Sequence, residues 1–163
     1  NNNDFMTAKE IAKHLNLEPH PEGGYYKETY RSKEIISNKD NNTRNINTII
    51  YYLLEGSDKS KFHKIKSDEL WFFHQGETLE IVMIKDGKIE TILLGNNISK
   101  GEVPQAIVPA DTWFAAKIKN ETSYSLVSCS VSPGFDFHDF ELAEREYLLQ
   151  SYPHLSNIIQ IFT

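Results

Sequence analysis

The sequence predicts a mainly β protein, a sandwich or barrel, with a short helix near each end. Between residues 46 and 131, short segments rich in β-branched and aromatic residues follow one another closely. Gly, Pro, Asn and Asp separate these segments, which is typical of sheets joined by tight turns. Asp86-Gly87 joins two of the segments in the manner of a two-residue hairpin.

The two helices are predicted by capping and stop signals. The first covers residues 7–17, with Thr7 as N-cap and Glu10, three residues later, as its capping-box partner. Its apolar residues form one stripe, so we expect it to pack on the outside of the sheet core. The second covers residues 140–152 and ends at Pro153.

Nine strands are expected along the chain. The segment 19–24 (PHPEGG) is a turn-rich break, and the Asn- and Lys-rich segment 33–47 is expected to be an exposed loop. The strands are predicted at 25–31, 47–54, 61–65, 69–75, 79–85, 88–94, 106–109, 113–118 and 123–131.

Length and composition predict one domain, residues 1–163, and disfavour several classes of partner. Lys and Arg total 17 and Asp and Glu total 23, so the net charge is −6. This balance argues against nucleic acid and anionic membranes, which select basic surfaces. The longest apolar run, 49–54, is too short to span a bilayer, and no signal peptide is recognised. A cytoplasmic location is therefore expected, and Cys129 is interpreted as a small buried hydrophobe.

The residues best suited to chemistry lie between His63 and Gly76. Strand alternation places Glu69, Trp71, Phe73 and Gln75 on one face, and Leu70, Phe72 and His74 on the other. If the first face lines the interior, His74 points away from it. His63 precedes the turn at 66–68, on a strand that could pair beside that of Glu69.

A buried carboxyl close to an imidazole has three interpretations. Low polarity raises the pKa of the carboxyl, so the two groups can exchange a proton with a substrate. They can also supply two ligands to a divalent metal. Finally, they can form a purely structural hydrogen bond. The residues alone leave these three interpretations open.

The same segment resembles the first motif of the cupin superfamily. His63 matches the first histidine of that motif, Glu69 its glutamate and Gly76 its closing glycine. Gly101 and the segment 109–113 resemble a degraded second motif, in which Asp111 replaces the turn glycine. The resemblance implies a double-stranded β-helix, the cupin jelly-roll barrel, over residues 7–152.

Three further stretches resemble one branch, cupin family five, of uncharacterised function, whose members have been called predicted sugar epimerases. They are PHPEGGYYKETYRS at 19–32, IYYLL at 50–54 and VSPGFDF at 131–137. Similar cupin epimerases use the first-motif histidine as base and a tyrosine as acid, without a metal. The resemblance thus implies a metal-independent sugar-type isomerase or epimerase, with His63 as base and Glu69 orienting it or sharing its proton.

Two departures from the cupin pattern disfavour a metal cofactor. Ile65 occupies the position of the second metal-binding histidine, and Phe114 falls where the third would be. Only His63 and Glu69 of the usual ligands remain, and catalytic sites normally use three or more. His20 or His138 could add a ligand only if folding brought them in, and nothing in their spacing requires that. The alternatives to the epimerase are a non-catalytic small-ligand-binding cupin and a metal-dependent cupin enzyme.

Aromatic and polar residues on the predicted strands are candidates for substrate binding. Trp71 and Trp113 are both expected on the inner face, where aromatic walls suit sugar rings and apolar ligands alike. Arg31 could bind phosphate, although an edge salt bridge with Glu28 is favoured, and Arg44 lies in the expected loop. The candidates are Tyr25, Glu28, Tyr30, Arg31, Tyr51, Trp71, Phe73 and Trp113.

The expected partners are a small-molecule ligand and a second copy of the chain. Cupins similar to this one are often dimers. A barrel-strand edge and the aromatic C-terminal run 158–162 are the interface candidates.

Overall fold

Two antiparallel sheets face one another and enclose the interior of the protein. The structure is a computed structural model, and it describes residues 6–163. The strands are β1 (Glu18–Pro19), β2 (Tyr25–Arg31), β3 (Ile35–Ser37), β4 (Thr43–Asn45), β5 (Thr48–Glu55), β6 (Lys59–Lys64), β7 (Asp68–Gly76), β8 (Leu79–Lys85), β9 (Lys88–Leu94), β10 (Gln105–Val108), β11 (Phe114–Ile118), β12 (Tyr124–Ser132) and β13 (Glu141–Leu142). The helices are α1 (Ala8–His14), α2 (Arg145–Ser151) and α3 (Ser156–Ile161).

The first sheet has six strands in the order β1-β2-β5-β12-β7-β10, and the second has five in the order β13-β6-β11-β8-β9. Strands β3 and β4 form a separate hairpin. All nine expected strands are present within one or two residues of their predicted bounds. The predicted mainly β jelly-roll barrel with short helices near both ends is confirmed.

Local sequence explains the first helix and the β8–β9 turn. The Thr7 side chain accepts a hydrogen bond from the Glu10 amide, and the Glu10 carboxylate accepts one from the Thr7 amide, which completes the capping box. The helix ends at His14, three residues before its predicted end at residue 17. Asp86 and Gly87 have φ values of 53° and 73°, so both adopt the left-handed conformation that a type I′ turn requires.

The inner faces of the two sheets form one apolar core. Alternate residues of each strand point inward, so Leu79, Ile81 and Met83 of β8 enter this core while Val82 and Ile84 face out. The buried members of the core are Tyr52, Leu54, Trp71, Leu79, Ile81, Met83, Leu94, Ala106, Val108, Phe114, Ala116, Ile118, Val127 and Cys129.

The helices cover the outer faces of the sheets. Ala8, Ile11 and Ala12 of α1 pack on Leu53 and Leu126 of the first sheet, as expected for an external helix. The C-terminal helices cover the second sheet in a separate outer cluster. Within residues 6–163, none of the helices has the length and apolar character needed to cross a bilayer.

Two β-bulges reverse the strand alternation that the sequence predicts. On β2 the register shifts between Glu28 and Tyr30, so Glu28 and Arg31 share a face, although residues three apart on a regular strand lie on opposite faces. On β7 the extra residue is His74, and Gln75 therefore pairs with the outward-facing Leu126 instead of continuing the Glu69 face.

The C-terminal prediction of one helix over 140–152 is wrong in part. Residues 141–142 extend as β13 beside β6, and the helix begins only at Arg145. In the run 158–162, Ile159 and Phe162 are buried within the chain and the Phe162 ring lies 5.6 Å from Phe62, whereas Ile161 is exposed. Apolar residues there complete the outer cluster of the second sheet.

The segment 33–47 is largely exposed, as expected, but it contains strands and is not a loop throughout. It contains the β3–β4 hairpin, and the Arg44 guanidinium donates two hydrogen bonds of 2.9 Å to the Asp139 carboxylate. Both side chains are largely buried. Arg44 is thus held by an ion pair with Asp139, 95 residues later in the chain. The composition of the segment itself does not reveal this contact.

We expect Gly24→Ala to destabilise the protein more than Gly87→Ala. Both glycines have positive φ, 77° and 73°, so both variants lose about 1 kcal/mol through the left-handed backbone. A Cβ on Gly24 would lie 2.5 Å from the Leu53 carbonyl oxygen, whereas one on Gly87 meets nothing within 4 Å. Urea unfolding should therefore show a further loss of at least about 2 kcal/mol for Gly24→Ala. Equal losses would contradict the close approach.

Candidate functional site

His63 enters the barrel interior from β6. It pairs with Phe114 of β11, and the two ring centroids are 4.2 Å apart. Phe140 stacks on the imidazole at 5.3 Å with an interplanar angle of 28°. His63 Nδ1 lies 2.7 Å from the Lys61 carbonyl oxygen, which can only accept, so Nδ1 carries the hydrogen and Nε2 presents a lone pair.

The surroundings of His63 favour the neutral imidazole. Burial lowers the pKa of His63 to about 4, the hydrogen bond to the Lys61 carbonyl opposes this shift, and nearby His20 adds to it. At neutral pH the side chain is therefore an uncharged acceptor at Nε2.

Glu69 enters the interior from β7, between Val131 of β12 and Val108 of β10. The residue is only 9% exposed. Burial raises the pKa of Glu69 to about 7, although a hydrogen bond with the Cys129 thiol opposes the shift. The pKa of Cys129 is also raised, chiefly by its own burial, so it remains a thiol as expected for a buried small residue. Glu69 is thus a carboxyl group that gains and loses its proton near neutral pH.

His63 and Glu69 belong to opposite sheets. The expectation that their strands pair side by side is wrong, because β6 pairs with β11 and β13 while β7 pairs with β12 and β10. Both residues still point into the same core. The Lys61 carbonyl, not Glu69, orients the imidazole.

His20 joins the site, although spacing did not require it. It lies in the turn between β1 and β2, with its ring 5.3 Å from Tyr26 and 5.7 Å from Tyr52. The Glu22 amide donates a 3.1 Å hydrogen bond to His20 Nδ1, so the neutral ring carries its hydrogen on Nε2. Burial lowers the pKa of His20, and the Glu22 carboxylate opposes this shift. The only sequence feature that could have indicated His20 is the PHPEGG turn in which it lies. The side to which this turn directs the His20 ring depends on the pairing of β1 with β2, which the sequence does not show.

The tyrosines that face the interior differ from those predicted. Tyr26 and Tyr52 pack with the inner core, and burial raises the pKa of Tyr52, so its hydroxyl keeps its proton. The candidates Tyr25 and Tyr51 lie on the outer face against α1, and Tyr30 is 51% exposed. In each of the pairs Tyr25-Tyr26 and Tyr51-Tyr52 the sequence prediction named the outward-facing residue. Strand alternation separates the two faces of a strand but does not say which face is inside.

Of the predicted aromatic wall, Trp71 and Phe73 lie inside and Trp113 does not. Trp71 belongs to the buried inner core, and Phe73 packs against it. Trp113 is part of the outer cluster beneath the C-terminal helices, with Lys64 Nζ 4.5 Å from its ring centroid. Its neighbour Phe114 takes the inward position instead.

Arg31 and Glu28 form the edge salt bridge that the sequence favoured. Two guanidinium nitrogens of Arg31 donate to the Glu28 carboxylate at 2.6 and 3.1 Å. Further donor hydrogens reach Asn45 Oδ1 at 2.7 Å and the Phe135 carbonyl at 3.1 Å. Arg31 is therefore committed to protein acceptors.

His74 faces away from the interior, as predicted. Its Nε2 lies 2.5 Å from the Ser128 hydroxyl, and its ring packs 5.8 Å from Tyr51 on the outer face. A shallow surface groove next to it is lined by Phe72, Phe73, His74, Val103, Pro104 and Gln105. This groove contains neither His63 nor Glu69.

Comparison with known proteins identifies the family. The family model Cupin_5, described as "Cupin superfamily (DUF985)", matches residues 9–143. The chain belongs to this cupin family. The resemblance read from the first motif and from the three branch-specific stretches is thereby confirmed.

Relatives of this cupin extend over most of its length. An uncharacterized protein of Saccharomyces cerevisiae, YML079W, is 33% identical in an alignment of 141 residues that covers 78% of this chain and 70% of that protein. A hypothetical protein from Leishmania major is 36% identical with a TM-score of 0.91, over 97% of this chain and 99% of that one. Protein SO0799 from Shewanella oneidensis is 39% identical with a TM-score of 0.89, over 98% of both chains. Their names assign no activity.

The donor set of this cupin does not fit a metal centre. Ile65 and Phe114 are buried apolar residues at the positions where metal-binding cupins carry histidines. No group of three or more His, Cys, Asp or Glu residues within 6–163 is arranged to hold a metal ion. His138 is exposed and pairs with Asp136 at 2.8 Å, so it adds no ligand. Catalytic metals in proteins normally need at least three such ligands.

We expect Glu69→Gln to stabilise the protein relative to wild type at neutral and alkaline pH, but not at acid pH. The raised pKa of Glu69 means that its contribution to stability is complete below its ordinary value of 4.5 and is lost as pH rises through about 7. Across that window the wild type loses about 3 kcal/mol that the uncharged Gln variant keeps.

The measurement is urea unfolding of both proteins at pH 5 and pH 8. Glu121→Gln, which removes an exposed carboxylate, is the matched control and should show no such change with pH. A stability difference between Glu69→Gln and wild type that is equal at the two pH values would contradict the buried, raised-pKa carboxyl.

Proposed function

We propose that this cupin is a metal-independent isomerase or epimerase that moves a proton on a small, sugar-like hydroxy-carbonyl compound. One observation carries the proposal: His63 and Glu69 face the same interior from opposite sheets. Two proton-transfer groups on opposite sides of a substrate carbon are what inversion of configuration requires.

The pair holds one transferable proton in its resting form. His63 is neutral with a lone pair on Nε2, and Glu69 is protonated below about pH 7. His63 Nε2 takes a proton from the carbon next to the substrate carbonyl, and the electron pair of the broken C–H bond moves into an enolate. Glu69 then returns its own proton to the opposite face of that carbon. This leaves His63 protonated and Glu69 ionised. Loss of the His63 proton to solvent and uptake of one by Glu69 restore the resting pair, and in the reverse direction the two residues exchange roles.

Neutral donors are available for the developing oxyanion. His20 carries its hydrogen on Nε2, and Tyr52 keeps its phenolic proton because burial raises its pKa. Hydrogen-bond donors in a water-poor site stabilise an enolate oxygen without a metal ion. Tyr52 therefore serves as a donor to the enolate oxygen, whereas Glu69 takes the part that a tyrosine acid has in the epimerases that this chain resembles, and His20 is a second donor.

Turnover should be bell-shaped with pH. It requires the pair to hold one proton, so kcat/KM should fall below about pH 4 as His63 becomes charged and above about pH 7 as Glu69 ionises. The measurement is deuterium incorporation from solvent at the carbon next to the carbonyl, followed by proton NMR over a panel of aldoses and ketoses.

We expect His63→Gln and Glu69→Gln each to reduce this exchange about 10²- to 10⁴-fold. His138→Gln, an exposed histidine outside the interior, is the matched control and should exchange at the wild-type rate. Exchange that survives His63→Gln, or a ligand that remains bound to the wild type and is never changed, would overturn the catalytic proposal. The second result would indicate a binding cupin.

A further inference from the structure

The indole N–H of Trp71 is buried without an acceptor. Trp71 is 2% exposed, and its Nε1 has no hydrogen-bond partner among residues 6–163. Leaving a buried donor unsatisfied costs about 1–3 kcal/mol, so native interiors rarely do so without a reason. An acceptor from outside the chain would remove this cost.

Trp71 belongs to the inner core into which His63 and Glu69 also point. Trp71 is two residues from Glu69 on the same face of β7, and the two Cα atoms are thus about 7 Å apart. Its ring lies 6.4 Å from Tyr52 and 6.2 Å from Phe114, which in turn contacts the His63 ring. The indole therefore connects the Glu69 side of the interior to the His63 side.

Trp71 packs in the inner core against the uncharged rings of Tyr52 and Phe114, and such surroundings suit an uncharged acceptor. Phosphate and carboxylate ligands are normally bound by free guanidinium or ammonium groups. Arg31 is committed to Glu28, Asn45 and Phe135, and Arg44 is committed to Asp139. The indole is a neutral donor that cannot compensate a full negative charge.

We propose that Trp71 Nε1–H binds a hydroxyl or carbonyl oxygen of the substrate and restricts the site to uncharged, unphosphorylated compounds. That this ligand is a substrate rests on the proposed function. The indole can bind the ligand whether or not turnover follows. In the bound state the ligand oxygen satisfies the indole and lies within the interior that Glu69 and His63 share.

The direct test is the indole N–H resonance of Trp71 in nitrogen-15 NMR. The chain has two tryptophans, so Trp113→Phe, a change in the outer cluster, leaves Trp71 as the only indole signal. The probes are D-glucose, D-galactose, D-mannose and D-xylose, with D-glucose 6-phosphate as the charged counterpart. We expect at least one uncharged sugar to move the resonance downfield in a saturable way, and the phosphate to leave it unmoved.

Three results in this titration would overturn the proposal. The first is that no sugar of the panel moves the signal. The second is that the sugar phosphate moves it as far as the uncharged sugar does. The third is a signal that already has the downfield position of a hydrogen-bonded indole and keeps it in every titration, which would assign the donor to a buried water.

Trp71→Phe provides the second test, because it removes the N–H and keeps an aromatic ring. For the sugar with the largest shift, calorimetry should show that affinity falls about tenfold in Trp71→Phe, as expected for loss of one hydrogen bond, and is unchanged in Trp113→Phe. Unchanged affinity in Trp71→Phe would overturn the role. If this variant does not fold, the NMR titration in Trp113→Phe decides alone.

The two proposals fail in distinguishable ways. A saturable indole shift without deuterium exchange would support Trp71 as a ligand donor and contradict the isomerase activity. Deuterium exchange with an unchanged KM in Trp71→Phe would support the isomerase activity and contradict the role of Trp71 as a ligand donor.

Discussion

Exclusion of water from the space between the two sheets is the constraint on which the site depends. It acts on the two titratable groups in opposite directions, lowering the pKa of His63 and raising that of Glu69. Both shifts favour the uncharged form. The interior can therefore hold an uncharged imidazole and an uncharged carboxyl group together without a counter-ion.

Backbone groups determine what each imidazole offers to a ligand. The Lys61 carbonyl accepts from His63 and leaves a lone pair on Nε2, whereas the Glu22 amide donates to His20 and leaves a hydrogen on Nε2. The two histidines thus present an acceptor and a donor. Since both partners are main-chain atoms, this division follows from the turn and strand geometry and does not depend on neighbouring side chains.

Strand alternation predicted part of the site correctly. On β7 it placed Glu69 and Trp71 inside and His74 outside, because the alternation is unbroken as far as the bulge at His74. On β11 the prediction was wrong, since Trp113 lies in the outer cluster and Phe114 faces the interior. On β2 the bulge after Glu28 changed the faces of the residues that follow. Alternation is reliable only along an uninterrupted strand whose inner face is known.

The sequence by itself determined the strands, the capped first helix, the β8–β9 turn, and the positions of His63 and Glu69 in a cupin motif. These features depend on residues close together in the chain. The tertiary structure alone decided that the two residues point into the same interior from different sheets, that His20 lies near His63, and that Arg31 is occupied by protein acceptors. Each of these depends on pairing between distant strands or on contacts such as Arg31 with Phe135, 104 residues away, which no local pattern encodes.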